Sequence, residues 1–282
     1  MAIKSYGEAR NAHLNGRSWL GYLRRGGPAL TANIFADLSY AAGIPVANYY
    51  ASTPMVSAVL DKGIDIGPDP APGMSKYISR VMLLPPVATG ILSFEFLDVV
   101  MYYPFVDGDG GSQDMVNTFA IPRFGGHGCK SMVVSQGVGT NDANVRITYT
   151  NSDGVSGRRV LATLALANPA GSLCSSFAPG SAKTYPVGPF VSLYPGDKGI
   201  RSIQNIEYLT SGGGIQAFVI VKPLFSVTMF GATAAPIEID FMAQRSFQLP
   251  QIANDAYLSA IVRGTTTGNP ATIIAQIETI WG

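Results

Sequence analysis

The chain has 282 residues, of which 13% are charged and 47% are hydrophobic, and its formal net charge is +1. Typical soluble proteins have about 25% charged residues, so uncharged polar or apolar groups must cover this surface, or other subunits must bury it. Obligate interfaces resemble a domain core cut in half, and the composition therefore favours a subunit of an assembly. The balanced charge lacks the basic surface of a nucleic-acid-binding protein, and we expect no nucleic-acid partner.

The first 75 residues differ from the rest and are predicted to form an N-terminal arm. Apolar residues in 29–42 recur at helical spacing before Gly43 and Pro45, which predicts a short helix. A second short helix is predicted over 54–62. Residues 67–73 are rich in proline and glycine and predict an extended linker. Aromatic side chains give this arm the area to pack on its own β-domain or on a neighbouring subunit, and the predicted interface residues are Trp19, Tyr22, Phe35, Tyr40, Tyr49 and Tyr50.

Residues 76–282 are predicted to form one all-β domain, a jelly-roll-like β-sandwich. Short runs of branched and aromatic residues, such as Ile200–Leu209 and Ile215–Leu224, alternate with turns rich in glycine, proline and aspartate. Asn151–Gly154 predicts a β-hairpin, because an Asp-Gly pair readily supplies positive φ. The last apolar run, 271–280, fits a helix or a strand.

Cysteine content and hydropathy point to a protein made in a reducing cytoplasm. Cys129 and Cys174 are too few for a disulfide framework, and the first residues lack the apolar region of a secretory signal. No uncharged apolar run reaches the roughly 18 residues that a membrane span needs. We therefore expect no membrane partner.

Three acidic residues, Asp107, Asp109 and Asp114, lie in a glycine-rich segment that resembles half of a calcium-binding loop. An EF-hand starting at Asp107 would need a glutamate where Thr118 stands, so the pattern breaks where ligation should continue. An exposed loop between strands is the main interpretation. A calcium site of another type stays open as the alternative.

Signals for catalysis are sparse, and we expect no enzyme, no catalytic residue and no cofactor. His127 and Cys129 lie close in sequence, but no spacing typical of a zinc site or a thiol nucleophile accompanies them. Glu238 and Asp240 would face the same side of a strand, as glycosidase carboxylates sometimes do. Tyrosines that a sugar could stack on would suit a glycan-binding module, and the candidates are Tyr102, Tyr103, Tyr185 and Tyr194.

Two segments resemble virion proteins of tailed bacteriophages, in particular head decoration (cement) or auxiliary capsid proteins with a jelly-roll domain. One segment is Gly16–Ser52, which contains the run WLGYLRRGG at 19–27. The other is GDKGIRSI at 196–203 followed by FVIVKPL at 218–224. The resemblance implies a virion subunit assembled in the host cytoplasm, a homotrimer at quasi-threefold positions, and the major capsid protein lattice as its partner.

Two functions from different classes follow. The first is a non-enzymatic structural subunit, a head decoration or cement protein that binds and stabilises the capsid lattice through its aromatic arm and β-sandwich. The alternative is a glycan-binding or polysaccharide-hydrolysing module of a phage tail or fibre. That alternative depends on the strands, tyrosines and carboxylates described above.

Overall fold

The computed structural model describes residues 2–28, 30–60, 63–84, 90–175, 188–229, 236–243, 248–267 and 272–282. These residues form strands in three sheets, one α-helix (α1, Tyr6–Leu14) and two short 3-10 helices at Leu38–Tyr40 and Phe124–Gly126. The strands are β1 (Ser18–Gly26), β2 (Phe35–Asp37), β3 (Gly43–Ile44), β4 (Lys76–Leu84), β5 (Leu92–Asp107), β6 (Ser112–Asp114), β7 (Lys130–Gly137), β8 (Asp142–Asn151), β9 (Arg158–Ala165), β10 (Ile200–Tyr208), β11 (Ile215–Met229), β12 (Ile237–Asp240), β13 (Gln251–Ile252), β14 (Leu258–Gly264) and β15 (Thr272–Trp281). The predicted all-β class is confirmed, while the jelly-roll arrangement stays a prediction.

The pairs that build the sheets are antiparallel. Sheet 1 has the order β12-β4-β15-β1-β3, with β13 also paired to β4. Sheet 2 has the order β2-β14-β5-β11-β7. Sheet 3 has the order β6-β10-β8-β9.

The long strands β5 and β11 of sheet 2 connect two lobes. Phe96 of β5 belongs to the core that sheet 2 shares with Ile277 of sheet 1. Further along β5, Val100 belongs to the core shared with Ile147 of sheet 3. Phe96, Asp98 and Val100 alternate along one face of the strand, so Asp98 lies at the boundary between the two cores.

The opposite face of sheet 2 is covered by the N-terminal segment. Tyr50 and Leu60 pack there with Leu97 and Val99 of β5. Apolar burial at about 25 cal/mol per Å² thus fixes residues of the predicted arm to the centre of the molecule.

The predicted division into an arm over 1–75 and a sandwich over 76–282 does not follow the sheet pairing. Strand β1 pairs with β15 from Ser18 to Gly26, and β2 pairs with β14. The inward side chain of Leu23 is 1% exposed in the core of the first lobe. The N-terminal segment therefore supplies strands to sheets 1 and 2 and is not a separate extension.

The two helices predicted for the arm are wrong. Phe35–Asp37 is a buried strand and Leu38–Tyr40 a single 3-10 turn, because packing in sheet 2 overrides the local helical spacing. In 54–60, Val56 and Ala58 instead bridge to Val116 and Tyr102. Positions 29, 61 and 62 of these predictions lie outside the described residues.

The one α-helix begins earlier, at a signal present in the sequence. Ser5 is its N-cap, and the Ser5 side chain accepts a hydrogen bond from the backbone N–H of Glu8 at 3.3 Å. The Glu8 carboxylate in turn accepts from the backbone N–H of Lys4 at 2.6 Å. This exchange is close to a capping box, the Ser-x-x-Glu pattern that begins many helices.

The structure also bears on the predictions for the hairpin at Asn151–Gly154, for the terminal run and for membrane spans. The hairpin at Asn151–Gly154 is confirmed, since β8 and β9 pair around it and Gly154 has a φ of 83°. The terminal run is a strand, β15, rather than a helix. Within the described part of the chain, no helix combines the length and apolarity needed to cross a membrane.

Candidate interaction surface

The outer face of sheet 1 carries apolar side chains where an antiparallel sheet usually presents polar ones to water. In β1 the residues that alternate with buried Leu23 point outward, and they include Leu20 and Tyr22. We call this surface the apolar face, and its apolar members are Leu20, Tyr22, Ile44, Met82, Leu84 and Ile274.

Strand register brings these side chains into rows. Ile274 of β15 is opposite Leu84 of β4, and Arg24 lies opposite both Ile274 and Ile44. In the next row, Tyr22 is opposite Gln276, which is opposite Met82. Directly paired side chains are about 4.5–5.5 Å apart at Cβ, so Ile274 and Leu84 are in contact range, whereas the other apolar members alternate with polar residues: Leu20 is opposite Glu278, Tyr22 opposite Gln276 and Ile44 opposite Arg24.

Solvent reaches the apolar face in the isolated chain. Leu20 is 53% exposed, Tyr22 38% and Ile44 56%, while Met82, Leu84 and Ile274 are half-buried. Several exposed apolar side chains on one face of a sheet mark an interaction site more often than scattered single residues do.

Charged groups and helix α1 border the apolar face. The Arg80 side chain lies 3.4 Å from Glu238 and 3.4 Å from Glu278, and His13 Nδ1 lies 3.7 Å from Glu278. Helix α1 packs over Tyr77 and Ile280 at one end of the sheet. Charged residues thus lie around and among the apolar members, since Arg24 is between Ile44 and Ile274; protein–protein interfaces also combine apolar area with polar groups.

The outer face of sheet 3 is the opposite in character. Its side chains bond to one another, with Arg146 2.6 Å from Glu207 and Gln204 Nε2 2.7 Å from Thr150 Oγ1. Leu161, on β9, is an exposed apolar residue among these polar side chains. The two sheets thus differ: the outer face of sheet 3 is mainly polar, whereas that of sheet 1 carries several apolar side chains among polar ones.

The structure separates the six predicted interface residues into two groups. Trp19, Tyr22 and Tyr49 are exposed, and Tyr40 is half-buried with its ring 4.9 Å from that of Tyr49. Of these, Tyr22 belongs to the apolar face.

Phe35 and Tyr50, also predicted at an interface, pack on the β-sheet of the chain itself, which is one of the two alternatives that the sequence left open. Phe35 is 5% exposed and Tyr50 is fully buried in the core of sheet 2. The Tyr50 hydroxyl donates to the Asp37 carboxylate, which also accepts the Ser39 hydroxyl at 2.8 Å. Burial raises the pKa of Asp37, against the opposing effect of these hydrogen bonds. This cluster holds the N-terminal segment against sheet 2 and is closed to a partner.

The apolar face also includes residues that the sequence analysis missed. Met82, Leu84 and Ile274 lie in runs (KYISRVMLL and TIIAQIETIW) that place apolar residues at both alternations of a strand. Such runs usually indicate a strand buried on both faces. In β4 and β15 the outward positions lie on the apolar face, which solvent reaches. The sequence signal for this face was the presence of apolar residues at both the inward and the outward positions of these strands.

The three calcium candidates serve the loop around them. Asp107 accepts the backbone N–H of Asp109 at 3.0 Å, and Asp109 accepts that of Gly213 at 3.0 Å. Asp114 accepts the side-chain amide of Asn205 at 2.7 Å. Among the residues that the structure describes, no three His, Cys, Asp or Glu side chains come together as a metal site. Each of the three carboxylates thus makes a hydrogen bond within or next to its own loop, and the calcium alternative stays a prediction.

The candidate nucleophile at 127–129 is not arranged for catalysis. Burial raises the pKa of Cys129 and of Cys174 to about 12, so both thiols are protonated near neutral pH. The Cys129 thiol lies 4.0 Å from the backbone carbonyl of His127.

The residues considered for a glycan module are mostly engaged in the fold. Glu238 pairs with Arg80, and Asp240 accepts the backbone N–H of Met242 at 2.8 Å. Tyr102 and Tyr103 are buried, whereas Tyr194 is 45% exposed. Tyr185 lies outside the described residues.

No protein-family model, curated protein sequence or solved structure matches this chain.

Proposed function

We propose that the chain is a non-enzymatic structural subunit of a phage virion, a head decoration or cement protein that docks on the major capsid protein lattice. The observation that carries the proposal is the contrast between the apolar outer face of sheet 1 and the polar outer face of sheet 3. In this arrangement sheet 1 meets the lattice and sheet 3 projects into water. The low charge of the whole chain, 13%, is in keeping with a subunit whose surface is partly covered.

The size of the apolar face suggests how such a subunit would bind. Strands β1, β4 and β15, spaced about 4.8 Å apart and each contributing about five residues at about 3.3 Å, outline roughly 240 Å², and polar side chains such as Arg24 and Gln276 occupy part of it. At about 25 cal/mol per Å² the apolar burial on this face is therefore worth less than about 6 kcal/mol. Association costs about 4–15 kcal/mol, so one face alone holds weakly.

Weak single contacts favour an oligomer on the particle. A standard protein interface buries about 800 Å² per partner, which is more than one apolar face supplies. When linked subunits bind together, the later contacts become intramolecular and the overall affinity rises by about 10²–10⁴. A homotrimer with its apolar faces turned toward the lattice fits this requirement.

Capsids assembled without this chain provide the test. Purified full-length protein added to them should co-sediment up to a fixed number of copies per capsid, and should raise the temperature at which the capsids release their contents. Failure to bind at any protein concentration would contradict the proposal. A glycan array and a reducing-sugar assay on the same preparation test the tail-module alternative.

A further inference from the structure

A cavity of about 560 Å³ lies beside the buried pair of Asp98 and Arg123, and Arg123 is one of its lining residues. Its walls are apolar and come from separate segments, and they include Val59, Leu60, Ile64 and Pro122. Arg123 and Asp255 also line it. A concave site with apolar walls and a few converging polar groups is the usual form of a binding pocket.

The positive charge of Arg123 is already neutralised by Asp98 of the same chain. Its Nε and Nη2 donate to the two oxygens of Asp98 at 2.7 and 2.6 Å, and Nη2 also donates to the carbonyl of Val99 at 2.7 Å. The Arg123 side chain is 7% exposed and that of Asp98 is 1% exposed. This buried ion pair therefore leaves little positive charge at the cavity for a ligand.

Two carboxylates at the cavity remain open to water. The Asp255 side chain is 64% exposed, with Oδ2 3.3 Å from Arg123 Nη1. Asp65 is exposed as well, and one of its oxygens accepts the backbone N–H of Gly67 at 2.9 Å. These two groups sit on different loops and border the same cavity.

Two cations lie near these carboxylates, Arg123 and Lys76. Lys76 lies close enough to Asp65 and Asp69 for their charges to act on its ammonium group, which donates to the carbonyl of Gly67 at 3.1 Å. Among the described residues that line the cavity, the charged ones are Asp65, Asp255 and Arg123, and their formal charges sum to −1.

We propose that this cavity binds a lysine or arginine side chain carried by an extended segment of a partner protein. The aliphatic stem lies along Val59, Leu60 and Ile64, because long basic side chains bury their methylene groups while the charged head stays at the polar end. The head binds Asp65 and Asp255 through charge-assisted hydrogen bonds, which are about twice as strong as neutral ones.

A neighbouring cavity favours an extended segment over a free small amine. It has a volume of about 500 Å³, shares Val59 and Leu60 with the first cavity, and is lined by Tyr49, Tyr102 and Tyr257. The two cavities are neighbours, because Val59 and Leu60 line both of them. In the proposal, residues flanking the basic side chain lie in the tyrosine-lined cavity. The residues that line the two cavities do not include members of the apolar face, and the inference stands apart from the proposed capsid function.

The test uses the ¹⁵N-labelled full-length chain and two short peptides, acetyl-Ala-Val-Lys-Val-Ala-amide and the same peptide with norleucine in place of lysine. The lysine peptide should shift the amide resonances of Gly63–Ile66 and Asn254–Ala256, and should bind at least fivefold more tightly than the norleucine peptide. Asp255→Asn should remove that fivefold preference. Asp153→Asn is the matched control, because Asp153 is exposed in the β8–β9 turn of the other lobe.

Equal affinity for the two peptides, or a preference that survives Asp255→Asn, would overturn the inference. Thermal unfolding of each variant shows whether it is folded, and the exposed position of Asp255 leads us to expect an unchanged midpoint. Absence of peptide binding would not contradict the proposed capsid binding, because capsid binding is measured with different variants, on the apolar face.

Discussion

The ion pair between Asp98 and Arg123 offers a sharp test of how the two lobes are held together. Both side chains are almost fully buried, and their charged groups make the two short hydrogen bonds described above. Asp98 also accepts the backbone N–H of Tyr257 at 3.0 Å. Arg123→Met keeps a long apolar side chain but leaves the Asp98 carboxylate buried without its counter-charge.

Removing one partner of a buried ion pair costs about 3–5 kcal/mol, and we expect Arg123→Met to lose this much unfolding free energy at pH 7. With an unfolding entropy of about 2.1 cal/mol/K per residue, a chain of 282 residues has about 0.6 kcal/mol/K in total. The expected decrease in Tm is therefore about 5–8 °C. The double variant Asp98→Asn, Arg123→Met should be more stable than Arg123→Met alone, since asparagine keeps the acceptor for Tyr257 and carries no charge.

The loss of unfolding free energy in Arg123→Met, called the deficit below, should depend on pH in a defined direction. Burial raises the pKa of Asp98 in the native chain, and the hydrogen bonds and charge of Arg123 oppose that rise. Without Arg123 the pKa of folded Asp98 rises further, while the unfolded value stays near about 3.9. A group whose pKa is raised by folding loses stability as pH increases through its folded value. The deficit should thus be largest at pH 7 and should shrink as the pH falls toward 4.

Urea unfolding of the native chain, Arg123→Met and the double variant at several pH values between 4 and 7 measures the loss of unfolding free energy, its recovery in the double variant and its dependence on pH. A deficit below about 1 kcal/mol at pH 7 would be typical of an exposed pair and would refute the buried arrangement. A deficit that is the same at every pH would show that Asp98 is not its source.

The remaining predictions concern the core, the thiols and the metal hypothesis. Leu23→Ala should lower the unfolding free energy by about 2–5 kcal/mol, because Leu23 is 1% exposed in the core of the first lobe; a loss under 0.5 kcal/mol in urea would contradict the placement of β1. Cys129 and Cys174 should not react with a thiol reagent until the chain unfolds, since both are buried and protonated, and rapid modification of the native protein would count against this. Calcium or EDTA should leave Tm unchanged within about 1 °C, because the carboxylates of Asp107–Asp114 are used within the loop; stabilisation by calcium alone would restore the metal site.

The all-β class could be predicted from local signals, because short β-prone runs in the sequence alternate with turn-forming residues. The Asp-Gly pair at Asp153 and Gly154 is an example, since the turn that it favours lies within four residues of sequence. The start of α1 is also a local signal, because the Ser5 side chain accepts from the backbone N–H of Glu8 three residues later.

The placement of the N-terminal segment could not be predicted locally. Strand β1 pairs with β15, so residues near position 20 meet residues near position 278, and no spacing within the segment indicates that partner. Asp37 and Tyr50 similarly acquire their buried positions from contacts made by the whole sheet. The apolar face follows from the same long-range pairing, because Tyr22 becomes part of a surface only beside β15 and β4.

The most direct measurement is co-sedimentation of capsids assembled without this chain with two matched variants. Leu20→Glu places a charge in the apolar face, and Leu161→Glu makes the same change on the outer face of sheet 3, where the leucine is similarly exposed, 57% against 53%. We expect Leu20→Glu to abolish binding and Leu161→Glu to bind like the unmodified protein. Equal binding by the two variants, or loss only with Leu161→Glu, would contradict the claim that sheet 1 is the docking surface.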